Sequence, residues 1–138
     1  MARPFASSEV EAAFNAVPAA VHAPLLALRE TVFAVADEDP RLGGLVETLK
    51  WKQPAYLPAR PRVGTTVRID ALGERRYALF VHCQTSLAAT YRDLYPGMFA
   101  YDGDRGLIFS VDARPPAEPL RHCIALALSY HADRKIRA

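Results

Sequence analysis

Hydrophobic positions along the chain switch between helical and strand periods at turn residues, and the switches predict the elements. Ser7 or Ser8 can cap a short helix, with Glu11 completing a capping box to Ser8 and Val10, Phe14 and Val17 forming the apolar side up to Pro18. A longer helix follows. Pro24 suits its first turn, where a missing N–H costs nothing, and Leu25, Leu28, Val32 and Val35 recur at helical spacing. Asp37-Glu38-Asp39-Pro40 stops it. Gly43-Gly44 then opens a short helical turn through Leu45, Val46 and Leu49, and residues 50–53 alternate like a strand that meets Pro54. Residues 57–64 hold Pro58, Pro61, Arg60 and Arg62 and predict an exposed loop.

The clearest strand pattern covers residues 65–82. Thr65, Val67 and Ile69 share one face and Thr66, Arg68 and Asp70 the other, while residues 77–82 are apolar on both faces, as in a central strand. A helix is predicted from Gln84-Thr85-Ser86 to about Tyr95, with Thr85 or Ser86 as its cap. A second hairpin brackets Asp102-Gly103-Asp104-Arg105. After Pro115-Pro116 a last helix places Leu120, Cys123, Ile124, Ala127, Leu128 and His131 on one face. The order predicts a single α+β domain over residues 1–138, with a core from about 8 to 132 and an antiparallel sheet of about five strands backed by helices on one side.

Composition narrows the function classes. Hydrophobic residues make up 51% and charged residues 23% of the 138, so the chain builds its own core without a disulfide or metal. The net charge of +2 is too small to draw nucleic acid or lipid over long range, so neither partner is expected. Residues 1–11 lack a signal peptide's apolar core, and the stretch 17–28 is broken by Pro18, His22 and Pro24. A cytoplasmic location with no membrane span is therefore expected.

Four stretches carry a likeness to a known family: Leu49-Lys50-Trp51-Lys52-Gln53-Pro54-Ala55-Tyr56, Gly64-Thr65-Thr66-Val67-Arg68-Ile69, residues 77–86 (YALFVHCQTS), and residues 101–107 (YDGDRGL). Over residues 8–132 the chain resembles the YdhG-like family, small bacterial domains of unknown function similar in fold to the YjbR and frataxin (CyaY-like) proteins. The resemblance implies a sheet backed by helices and no particular activity. One branch of the family is described as a frataxin-like iron chaperone. Such a role calls for acidic residues along the first helix and strand, where this chain offers mainly Glu9 and Glu11 and places Lys50, Lys52 and Arg68 on its strands.

Motifs for catalysis are missing: there is no nucleophile elbow, zincin helix, phosphate loop or dinucleotide glycine motif. His82-Cys83 and His122-Cys123 contain zinc-ligand types, but adjacent side chains diverge on strand and helix alike. Buried thiols explain both pairs, with Cys83 continuing the Leu79/Val81 face, and no metal or other cofactor is predicted. The leading candidate is a pocket for a small polar or anionic ligand at the helix start near Thr85 and Ser86, where backbone N–H groups are free. Arg68 and His82 lie on strand faces that can be shared beside it, and Trp51, Gln53, Tyr91, Tyr101 and Arg105 can supply walls and hydrogen bonds. The competing explanation makes Thr85 only a cap, Arg68 a solvated sheet residue and Trp51 a core or interface aromatic. Three functions stay open: a non-catalytic binding module, a frataxin-like metal carrier, and a protein-interaction subunit. Homodimerisation is compatible with an uncovered sheet face.

Overall fold

Ser7 accepts a hydrogen bond from the Val10 amide at 3.2 Å and caps α1 (Ser8–Asn15), which buries Val10 and Phe14. In the computed structural model, which describes residues 3–137 and the side chains of residues 3–134, α2 spans Ala19–Asp37. It begins directly after Pro18, so Pro24 lies inside it and not in its first turn. By length and composition α2 could cross a bilayer, and here its apolar side packs on the sheet through Val21, Leu25, Leu28 and Val32. A 3-10 turn at Pro40–Leu42 ends on Gly43 and leads into the first strand.

Six strands follow: β1 (Leu45–Lys50), β2 (Gln53–Pro58), β3 (Val67–Ala71), β4 (Arg76–Phe80), β5 (Ala100–Asp102) and β6 (Gly106–Ser110). They form one antiparallel sheet in the order β1-β2-β3-β4-β6-β5. Helix α3 (Leu87–Leu94) lies between β4 and β5, and α4 (Ala117–Leu128) and α5 (Tyr130–Arg137) close the chain. The α+β architecture is as expected, with one strand more. Residues 45–50 form that strand where a helical turn is predicted, and residues 51–52 form a tight turn where a strand is predicted.

The helices share one core with one sheet face. Tyr56, Val67, Ile69, Tyr77, Leu79 and Leu107 point into it, and every one is essentially removed from solvent. Within this apolar layer sits one buried ion pair. Arg29 of α2 donates from Nε and Nη2 to the two carboxylate oxygens of Glu47 on β1, at 2.6 and 3.1 Å. Its other donors reach the Arg3 and Pro4 carbonyls and Glu30. Glu47 also accepts from the Tyr56 hydroxyl at 2.7 Å and the Ala6 amide at 2.9 Å, and Phe5 and Phe33 stack on the guanidinium. The cluster ties the N-terminal segment, α2 and the β1–β2 hairpin into one unit. Burial works to raise the Glu47 pKa, but the hydrogen bonds from Arg29, Tyr56 and Ala6 outweigh it and hold the carboxyl below its ordinary value.

The last helix is broken where continuity is expected. α4 ends at Ser129, whose φ is −113°, and the His131 and Ala132 amides turn to the Val63 carbonyl before α5 continues. His131 is consequently exposed and off the core stripe, whereas Cys123 stays in it.

Candidate functional site

The segment 63–65 positions one wall of a cleft beside Arg68 of β3. The Thr65 amide donates to the Ala127 carbonyl at 3.0 Å, and the Val63 carbonyl accepts from the His131 and Ala132 amides at 2.9 and 2.8 Å. Gly64 makes this docking feasible, because a Cβ there would stand 1.8 Å from the Leu128 carbonyl oxygen. The junction of α4 and α5 is thus held beside the start of β3. Between them and the tip of the β1–β2 hairpin lies an open cleft of about 550 Å³.

Its charged lining is one-signed. Lys50, Arg68 and Arg134 contribute, the imidazoles of His82 and His131 lie beside them, and among the described residues no carboxylate does. Arg68 is the most enclosed of the three permanent cations. On β3 it stands opposite Phe80, with its guanidinium 5.5 Å from the Phe80 ring centre. Nη1 donates to Gln53 Oε1 at 2.6 Å, and Gln53 Nε2 donates to Asp70 at 3.0 Å, so Gln53 sets the orientation of Arg68. No other protein hydrogen bond or ion pair to Arg68 exists among the described residues. Burial, reinforced by nearby Arg105, pulls its pKa below the ordinary value. A guanidinium nonetheless stays charged at any physiological pH. A half-buried cation with spare donors and no counter-ion favours an anion.

The opposite wall starts where β4 ends. His82 Nδ1 accepts from the Gln84 amide at 3.0 Å, so Nε2 carries the proton of the neutral ring. Thr85 Oγ1 donates to the His82 carbonyl at 2.7 Å, closing the turn into α3. Of the expected free amides at this helix start, three are taken, and those of Ala88 and Ala89 have no hydrogen-bond partner among the described residues but do not line the cleft. The Thr85 amide is taken by the His82 carbonyl, that of Ser86 by the Tyr130 hydroxyl at 3.2 Å, and that of Leu87 by Thr85 Oγ1. Side chains, and not the helix end, give the cleft its polarity.

No family model matches the chain, and neither a curated protein nor a solved structure is significantly similar to it.

Of the nine residues singled out in the sequence, Trp51, Arg68, His82 and Thr85 line the cleft and Gln53 braces Arg68. Ser86 lines an adjoining hollow that shares Thr85, Tyr130 and Arg134. The other three are elsewhere. Tyr91 is on the buried face of α3, where its hydroxyl donates to the Cys123 carbonyl at 2.6 Å. Tyr101 pairs across β5–β6 with Leu107 and carries Arg92 on its ring at 4.5 Å, and Arg105 is tied to Asp102 in the hairpin turn. Cys83 is exposed, since β4 stops at Phe80 and the Leu79/Val81 face does not extend to it. No group of three or more metal-ligating side chains exists among the described residues.

Tyr130 is the main residue the sequence reading misses. Its hydroxyl accepts from the Ser86 amide and from Arg134 Nη1 at 3.1 Å, and contacts the Ser86 hydroxyl. These Ser86 contacts, with Arg134 adding, lower its pKa. The break at Ser129 is what turns Tyr130 and Arg134 toward the cleft.

Trp51 completes the rim. Lys50 pairs with Gln53, which leaves Trp51-Lys52 as a two-residue turn with φ of 56° and 63°. Positive φ at both positions is the type I′ pattern, normally given to Asn-Gly. Each non-glycine residue held there costs on the order of 1 kcal/mol. Trp51 is 86% exposed, and no other aromatic ring or arginine stacks on it among the described residues.

Proposed function

We propose that the protein is a non-catalytic binding module for a small anion, held in the cleft by Arg68 with Lys50 and Arg134 at its edges. The observation that carries this reading is the state of Arg68: enclosed, oriented by Gln53, and without a carboxylate. The His82 Nε2–H and the Thr66 side chain add neutral polar groups to the same lining. Three of the four stretches that carry the likeness to YdhG-like domains contribute residues to this cleft, which supports placing the binding role here. No observation favours the metal-carrier reading over it.

Melting temperature in the presence of inorganic phosphate, pyrophosphate and citrate, at two salt concentrations, tests the proposal. A ligand that binds only the native state raises stability in proportion to the logarithm of its excess over Kd. A saturable rise with at least one anion, lost in Arg68→Ala, is expected. No rise with any of them, or a rise untouched by Arg68→Ala, contradicts the reading.

A further inference from the structure

We infer that the ligand of this cleft carries a planar aromatic ring joined to its anionic group, and that Trp51 stacks on that ring while Arg68 holds the anion. The inference rests on the anion-binding reading and goes beyond it by naming the ligand's second chemical part. Three observations meet at Trp51. It lines the same cleft as Arg68. It is 86% exposed, with its ring unstacked among the described residues. It also occupies a turn position that asks for glycine or asparagine, at φ 56°.

A bulky aromatic in the left-handed region is an outlier, and such outliers persist where the side chain is needed. Core packing does not account for this one, because the indole buries almost nothing. The hairpin itself is firmly set by the six-pair register of β1 with β2. Gln53, two residues after Trp51, is hydrogen-bonded to Arg68, so the indole and the guanidinium are mounted on one rigid support. A presented aromatic face and a fixed cation together suit a ligand with a ring and an anion, such as an aryl phosphate or a mononucleotide.

Trp51 is the chain's only tryptophan, so its fluorescence reports on this position alone. The test titrates the intact protein, at constant ionic strength, with phenyl phosphate, AMP, ribose 5-phosphate and inorganic phosphate, following indole emission and heat of binding. Phenyl phosphate or AMP is expected to quench Trp51 saturably and to bind about tenfold more tightly than ribose 5-phosphate. In Trp51→Gly, which relieves the turn and keeps the fold, calorimetry is expected to show the aromatic and non-aromatic phosphates binding alike. Binding of phosphate or ribose 5-phosphate with no advantage for the aromatic ligands overturns this inference and leaves the anion site standing. Silence from all four ligands overturns both.

Discussion

Arg29 and Arg68 lie on opposite faces of the same sheet, the first fully buried and the second half-buried. Arg29 places all its donors on protein oxygens: two on Glu47, two on the carbonyls of Arg3 and Pro4, and one on Glu30. Arg68 makes one hydrogen bond, to a neutral amide. The first arrangement satisfies the desolvated charge within the fold, and the second leaves most of the guanidinium donors without a protein partner among the described residues. The two arginines thus differ in burial and, more sharply, in the count of donors that the fold satisfies.

Breaking Arg29 should have the largest effect. Arg29→Ala strands the Glu47 carboxylate and frees the N-terminal segment, at a cost of about 3–5 kcal/mol by urea unfolding. Arg68→Ala removes no such pairing and should change stability by no more than about 1 kcal/mol, while abolishing anion binding. Equal losses for the two variants would erase the distinction. Gly64→Ala sharpens it from the other side, because the added Cβ meets the Leu128 carbonyl 1.8 Å away. That variant should lose about 2 kcal/mol or more and open the cleft wall, weakening anion binding without touching a charge.

The Glu47 side of the comparison is pH-dependent. Its folded pKa lies below the ordinary 4.5, so its contribution is fully present above that value and is lost as pH falls through the folded pKa. Stability measured from neutral to acid pH should fall more gently in Glu47→Gln than in the parent, starting from a lower plateau. Parallel curves would show that the carboxylate is not the titrating group. The smallest effect is expected at the hairpin tip. Lys52→Gly should raise stability by roughly 1 kcal/mol, since glycine accepts the positive φ that lysine resists.

Most of the fold was legible because helical and strand periods stood clear in residues 8–37, 65–82 and 98–128. The β1–β2 hairpin was not, for two local reasons. Glu47 occupies a core-facing strand position, so its charge masks the alternation Leu45, Glu47, Leu49 that its partner Arg29 makes tenable. Trp51-Lys52 lacks the glycine or asparagine that announces a type I′ turn. The candidate site was half legible: strand alternation gave Arg68 and His82 faces that could be shared, and turn chemistry put Thr85 near them, although β4 ends at Phe80, before His82. Tyr130 and Arg134 stayed hidden because the helical pattern runs on through Ser129, and only the bonds of the His131 and Ala132 amides to Val63 reveal the break. Tyr91, polar by type, was drawn into the core because one carbonyl, that of Cys123, could take its hydroxyl.

The most direct test of the contrast is calorimetric titration of inorganic phosphate into the parent protein, Arg68→Ala and Arg75→Ala at one fixed ionic strength. Arg75 is an exposed arginine paired with Asp112 and serves as the control cation. The account predicts saturable binding to the parent and to Arg75→Ala, and none to Arg68→Ala. Binding that survives in Arg68→Ala, or that falls equally in both variants, would contradict it.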